Sequence, residues 1–293
     1  ADRLKAFACS GIRMWLFQAT APRIARMCRG QVPIQRLCST GLAGLHYLQR
    51  MERRSHAIGP PTHPPRIPCP GAKRDLRGRV SAHFSRLPRE QAELKAASLV
   101  QMMEKVEAQS RLLTKIDVKV IMAACTSGTF LGGTAAADDL GTRIKRATGI
   151  PGFTTSTAVT DALRTIGIQR FFMITPYPHD ITATEAAFFE ALGFEVAGTD
   201  TFACTHSPMI PALASSEVAE MVARHADEIN AADGLFVSCT NLATMDRISA
   251  MEETLGKPVV TSNAATLWRA LREADIPSVD IGAGSIFTHD LAR

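Results

Sequence analysis

Two short stretches of this chain place a thiol where a buried strand should end. Val118–Ala124 (VKVIMAA) runs into Cys125-Thr126-Ser127-Gly128, and Leu235–Ser238 (LFVS) runs into Cys239-Thr240-Asn241. In open α/β sheets ligands bind beyond the carboxyl ends of the strands, where loops and helix N-termini meet. A cysteine at such a helix start feels the positive end of the dipole and nearby backbone N–H groups, which favours its thiolate. The side chains of Thr126, Ser127, Thr240 and Asn241, with the backbone N–H groups around them, suit a carboxylate. Two thiols flanking a bound carboxylic acid can attack or deprotonate one face and return a proton on the other. That chemistry needs neither a metal nor an organic cofactor. A single cysteine after a buried strand is more often a small apolar core residue. Here the Cys-Thr pair recurs 114 positions later, about half a chain away, and the repetition points to two similar lobes facing each other.

The elements that must position these thiols alternate in type. A helix is expected from Pro88 to about Leu113, with Leu94, Leu99, Met102, Met103 and Val106 as its apolar stripe. The strand Val118–Ala124 follows, then a helix over Asp138–Ala147 and a turn at Gly149–Gly152. Next come a helix over Thr157–Ile166, a strand over Arg170–Thr175 ending at Pro176-Tyr177, a helix over Thr182–Leu192 and a strand over Phe194–Ala197. A helix over Ser216–Asn230 leads to the strand Leu235–Ser238; a helix over Thr244–Leu255, a strand over Pro258–Thr261 and a helix over Ala265–Glu273 complete the series. Helices alternating with short apolar strands at this spacing imply an α/β fold with parallel sheets and right-handed crossovers.

Charge divides the 293 residues unevenly. Residues 1–80 hold 15 Lys/Arg against 3 Asp/Glu, a local charge of +12, whereas residues 81–293 hold 18 against 25, or −7. With 46% apolar and 21% charged residues, the bulk excludes wholesale disorder and a polytopic membrane protein. No run reaches the roughly 18–20 apolar residues needed to span a bilayer. The seven cysteines follow no disulfide-scaffold spacing, which favours free thiols in a reducing, cytoplasmic compartment. No CxxC or spaced His/Cys cluster occurs, so no structural zinc is expected. The basic segment lacks aromatic-basic interleaving, so neither a nucleic-acid nor a membrane partner is expected. Gly59–Gly71 carries six prolines in 13 residues, which forbids a helix or a central strand there. Residues 1–77 therefore read as a basic leader, with a targeting peptide and a shifted reading frame as the alternatives.

Four stretches carry a resemblance: HFSRL (His83–Leu87), ACTSGTF (Ala124–Phe130), TTSTAVTDALRTIGIQRFFMITPY (Thr154–Tyr177) and the long block Ser238–Arg272. Over about residues 78–290 the chain resembles the Asp/Glu racemase superfamily, in the branch of maleate cis-trans isomerase and arylmalonate decarboxylase. The resemblance implies two pseudo-symmetric Rossmann-like lobes with parallel sheets and the active site between them. Lobe one would take residues 78–155 plus 262–293, and lobe two residues 156–261. It also implies that Cys125 is the nucleophile or first acid/base, that Cys239 is the second, and that Tyr177 hydrogen-bonds a substrate carboxylate. Thr126, Ser127 and Thr240 would complete the anion pockets, and Asn241 lies beside them.

Decarboxylases of the branch keep only the second cysteine, so the pair favours an isomerase or racemase acting on a small (di)carboxylic acid. An arylmalonate-type decarboxylase and an amino-acid or hydantoin racemase are the alternatives. No metal or cofactor is implied, and a homodimer is compatible with the architecture. Two departures stand out. The isomerases' Asn between the tyrosine and the second cysteine is replaced by Cys204-Thr205-His206-Ser207-Pro208, where His206 is the candidate substitute. The family's first strand, ending in a Pro-Ser-Ser-Asn-Thr type loop, should fall near residues 60–67, where this chain is proline-rich. A chain lacking that strand would instead be an impaired carboxylate-binding protein.

Overall fold

The computed structural model describes residues 44–50, 80–276 and 281–290, all within one compact unit, Ile34–Arg293. Expectations for residues 1–43 and 51–79, the proline-rich run and the targeting reading among them, lie outside the described residues.

Among the described residues, eight strands form two four-stranded sheets. Sheet one has the order β2-β1-β3-β4, from β1 (Gly44–Arg50), β2 (Val80–Arg86), β3 (Val120–Ala124) and β4 (Gly152–Thr154). Sheet two has the order β6-β5-β7-β8, from β5 (Arg170–Thr175), β6 (Glu195–Thr201), β7 (Gly234–Val237) and β8 (Val259–Thr261). Every pairing in sheet two is parallel. The buried strands β3, β7 and β8 expose no residue, which is why their sequences read as continuous apolar runs rather than as alternation.

Sheet one has a feature that the sequence pattern did not announce. Gly44–Arg50, from within the basic N-terminal segment, occupies a central position and runs antiparallel to both β2 and β3, with Leu45 opposite Ser85 on one side and Ala123 on the other. A strand does fill the place beside β3, but in the direction opposite to that of a crossover-connected strand. Only β3 and β4 pair in parallel in this sheet.

The helices follow the expected order with shifted limits. The first expected helix is two, α1 (Ala96–Met103) and α2 (Val106–Leu113), and its stripe Leu94, Leu99, Met102, Met103 and Val106 is buried as expected. Residues 88–95 are not helical, because their backbone groups pair with a distant loop. Leu94 N–H donates to Thr205 O at 2.8 Å and Ser207 N–H donates to Ala92 O at 2.8 Å. After β3 come α3 (Thr126–Phe130) and α4 (Thr134–Thr148), which ends at the expected turn with Gly149 in the left-handed region; the short strand β4 starts at the last residue of that turn, and α5 (Thr155–Thr165) follows. Thr154 caps α5 through a capping box with Thr157. In sheet two, α6 (His179–Ala191) follows β5, α7 (Ser215–Arg224) and α8 (Ala226–Asn230) precede β7, and α9 (Ile248–Leu255) precedes β8. The final helix, α10 (Ser262–Glu273), starts at the carboxyl end of β8 with Thr261 as its N-cap, accepting from Ala264 N–H at 3.1 Å. It meets α5 through Thr266 Oγ1, which donates to Thr155 Oγ1 at 3.1 Å.

Candidate active site

The carboxyl ends of β3, β5, β7 and β8 converge. Cys125 follows β3 and is the N-cap of α3, in extended backbone. Cys239 follows β7 with φ +90°, a conformation that costs a non-glycine residue about 1–3 kcal/mol and concentrates at functional sites. The two loops interlock. Thr240 Oγ1 donates to Ala124 O at 3.2 Å, and Ser262 Oγ, at the start of α10, accepts from Thr126 Oγ1 at 2.9 Å and from Cys239 N–H at 3.0 Å. Both cysteines are buried, 6% and 7% exposed, and both are free thiols.

The surroundings set the charge on each sulfur. Around Cys125, burial pushes the thiol up; the Gly128 N–H, the Ser127 hydroxyl (Oγ 3.9 Å from the sulfur) and the Arg89 guanidinium oppose that rise. A Cβ on Gly128 would sit 2.3 Å from Met103 Cε and 3.2 Å from the sulfur, so a side chain there would have to displace the tip of Met103 and crowd the thiol. Cys239 is pushed up to about 12, chiefly by burial. The Tyr177 hydroxyl and the Asn241 N–H, 3.3 Å from the sulfur, hold it down, while negative charge on Cys125 or Glu185 would raise it further. The expected helix-start stabilisation of the thiolates is thus outweighed by desolvation, and both cysteines rest as neutral thiols.

Tyr177, just past β5, is 1% exposed and packs edge-on against Phe130 of α3, with ring centroids 6.2 Å apart. Burial and the neighbouring Cys239 and Glu185 push its phenol well up. Its hydroxyl has no hydrogen bond of good geometry among the described residues, yet it lies near enough to the Cys239 sulfur to couple to its ionisation. Asn241 Oδ1 is likewise buried without a partner among the described residues. Cys125, Thr126, Ser127, Tyr177, Cys239, Thr240 and Asn241 therefore surround one locus, although the Thr126 hydroxyl is already donated to Ser262. His206 is elsewhere: it is exposed, bridges to Glu93 and has Nδ1 3.0 Å from Thr205 Oγ1. Cys204, in the same loop, is buried and takes no part in these contacts.

Three participants escaped sequence reasoning. Arg89 donates to Ala92 O at 3.0 Å and to Ser207 Oγ, and its charge favours the Cys125 thiolate. Ser262 ties the two cysteine loops together. Glu185, on α6, is fully buried and accepts from Ser238 Oγ at 2.6 Å. A separate cavity of about 300 Å³, lined by Asp138, Phe153, Asp161, Arg164 and Arg269 among others, contains neither cysteine. Its Arg269 is already paired with Asp161 and Glu273. Among the described residues no group of three His, Cys, Asp or Glu could hold a metal ion, and no helix is long and apolar enough to cross a membrane.

The family model for arylmalonate decarboxylase matches residues 81–287. The chain belongs to the arylmalonate decarboxylase family. It is 31% identical over 173 residues to the arylmalonate decarboxylase of Bordetella bronchiseptica, covering 59% of this chain and 72% of the relative. It is 25% identical over 183 residues to the maleate isomerase of Nocardia farcinica, covering 59% and 71%. A crystal structure of an arylmalonate decarboxylase mutant in the liganded form superposes with a TM-score of 0.66 at 29% identity, covering 70% of this chain and 86% of that one. The maleate isomerase of Pseudomonas putida S16 with maleate shares the fold, with a TM-score of 0.65 at 20% identity over 70% and 84% of the chains. The mixed α/β fold with parallel sheets is thus the family's own, and proteins of both names are enzymes.

Proposed function

We propose that this protein is a cofactor-independent isomerase of small dicarboxylic acids, of the maleate cis-trans isomerase kind, with Cys125 as nucleophile and Cys239 as proton carrier. The observation that supports it is the pair of free thiols at interlocked strand ends, each in a different field. Cys125 has a guanidinium and N–H donors to favour its thiolate. Cys239 has no such cation among its described neighbours, and burial above all keeps its proton on sulfur.

The chemistry balances on the two sulfurs. Cys125 first loses its proton to solvent. A lone pair of its sulfur then forms a C–S bond to one alkene carbon while the π electrons take the Cys239 proton onto the other, leaving Cys239 as thiolate. Rotation follows about the new single bond. The Cys239 thiolate recovers the proton, the alkene re-forms and the C–S electrons return to Cys125. A maleate cis-trans isomerase mutant from Nocardia farcinica, alike in fold with a TM-score of 0.64, holds a covalently bound succinylcysteine intermediate, which is the species that this route passes through. Tyr177, whose hydroxyl, and Asn241, whose Oδ1, are buried without a partner among the described residues, together with Thr126, Ser127 and Thr240, are the groups to hold the carboxylates.

A second reading, decarboxylation of an arylmalonate with Cys239 protonating the product carbanion, is favoured by the 31% identity to the Bordetella bronchiseptica enzyme. The deciding experiment assays the purified chain against maleate, aspartate, glutamate, hydantoins and arylmalonates. Turnover of maleate with loss on replacing either cysteine supports the first reading. Carbon dioxide release that survives Cys125→Ala supports the second. Activity that a chelator removes overturns both.

A further inference from the structure

One buried acid is not used by either reaction. Glu185 is 0% exposed on α6, two turns beyond Tyr177, in a helix whose next inward residues are Phe188 and Phe189. Its Oε1 accepts from Ser238 Oγ at 2.6 Å, while its Oε2 is buried with no hydrogen-bond partner among the described residues. Ser238 immediately precedes Cys239, and its own N–H donates to Ile174 O at 2.8 Å, so the serine is fixed to sheet two. A single hydroxyl therefore separates the carboxyl from the residue that carries Cys239.

We infer that Glu185 is a positioning residue for Cys239, and that its buried carboxyl, held by Ser238, governs whether the Cys239 sulfur can carry charge. This deepens the reading of Cys239 as the proton carrier and rests on it. The titratable groups that face the carboxyl are Tyr177, from the end of β5, and Cys239, from the end of β7, with Cys125 acting on both of these. Among the described residues no cation contributes to its ionisation: burial pushes it up to about 8, and the Ser238 hydroxyl alone opposes this. A neutral carboxyl is the state consistent with that setting at neutral pH. Two negative charges in one dry pocket oppose each other. While Glu185 is neutral, the transient Cys239 thiolate meets no second charge. Once Glu185 ionises, the thiolate is resisted and the proton stays on sulfur.

The test needs no substrate. The full-length protein and Glu185→Gln, which keeps the acceptor for Ser238 but cannot ionise, are alkylated with iodoacetamide across the pH range, and the rate is read at the Cys239 peptide by mass spectrometry. The two proteins should match near pH 6.5, and at about pH 9 the variant should react roughly fivefold or more faster at Cys239, with Cys125 changing by less than about twofold. Coincident curves at every pH overturn the inference. Infrared titration of the unmodified protein covers the case in which the variant does not fold. A protonated-carboxyl C=O band should persist at neutral pH and vanish near pH 8; its absence at neutral pH overturns the inference. The outcomes separate cleanly from the functional reading. A protein inert toward every acid offered still gives an alkylation result, whereas turnover by Cys239→Ala removes the reading without touching the Glu185 measurement.

Discussion

Cys125 and Cys239 end matching strands and lead into matching Cys-Thr steps, yet the charged groups around them differ. Cys125 sits in extended backbone at φ −148° under a five-residue helix, with the Gly128 N–H, the Ser127 hydroxyl and the Arg89 guanidinium drawing it toward the thiolate. Cys239 sits at φ +90°, where the Tyr177 hydroxyl and the Asn241 N–H favour its thiolate but negative charge on Cys125 or Glu185 opposes it, and no cation among the described residues acts on it. Burial raises both thiols, so the distinction lies in what surrounds each one rather than in depth. Topology delivers two equivalent positions; the neighbours from other elements set them apart, which is the basis for the proposed roles of attacking group and proton store.

The comparison breaks most sharply on the cysteines themselves. Cys125→Ala and Cys239→Ser should each lower turnover of maleate by about a thousandfold or more. Only Cys239→Ser should accumulate a covalent adduct with the mass of the added diacid, because it keeps the attacking sulfur, draws the proton for the other carbon slowly from solvent, and lacks the thiolate that reverses the addition. Intact-protein mass spectrometry after incubation reads this directly. An adduct on Cys125→Ala instead would exchange the two roles.

The next effect belongs to the Cys239 side alone. The Glu185 carboxyl has an ordinary value of 4.5 and is raised to about 8 in the fold, so the folded state holds this proton more tightly than the unfolded chain does. Its stability contribution is fully present below about pH 4.5 and is lost as pH rises to about 8, beyond which no further change comes from this group. The loss should be on the order of a few kcal/mol. Denaturant melts of the protein and of Glu185→Gln across that window should diverge in slope, the variant lacking the decline. Parallel curves would mean that the carboxyl is not held neutral.

Smaller again is the effect of the hydroxyl that joins the two sides. Ser262→Ala removes the acceptor for both Thr126 Oγ1 and Cys239 N–H, leaving two buried donors unmatched. The expected cost is about 1–3 kcal/mol for each donor, read as a fall in melting temperature. Ser262→Thr, which keeps the hydroxyl, should recover part of it.

Much of this arrangement was legible in the sequence, and the gaps have physical causes. β3, β5, β7 and β8 were visible because strands covered on both faces must be apolar throughout, and VIMAA, RFFMIT, LFVS and PVVT meet that need. The Cys-Thr repeat pointed to one candidate locus because each cysteine follows the carboxyl end of a buried strand, one in each sheet, and those ends converge. β1 was not visible, because its place depends on antiparallel pairing with partners tens of residues away rather than on local pattern. The helix expected from Pro88 starts only at Ala96 because the backbone of residues 92–94 pairs with residues 205–207, and no local propensity encodes that pairing. The same long-range pairing holds Arg89 beside Ser207, so a residue that read as part of a helix's first turn instead faces the chemistry. Glu185 and Ser262 were hidden for a related reason: each is an ordinary helix residue until a second element arrives beside it. The expectation of stabilised thiolates erred in weight, since a helix start contributes little beside complete burial.

Arg89 supplies the mildest test of the comparison and the most selective. It is half-buried and fixed through its Nη2, which donates to Ala92 O and Ser207 Oγ, so its charge is held on the Cys125 side. Arg89→Met preserves much of the packing volume and removes the charge. With that charge gone, the Cys125 thiolate loses a stabilising neighbour, its pKa rises further, and less thiolate is present at any given pH. Iodoacetamide should then modify Cys125 roughly three- to tenfold more slowly at neutral pH, while Cys239, which Arg89 does not influence, should react at an unchanged rate. Because solvent screens a half-buried charge, raising the ionic strength should narrow the gap between the two proteins. Equal slowing at both cysteines would point to a general loosening of the 88–95 and 205–207 contact, and would remove the distinction in field on which the two roles depend.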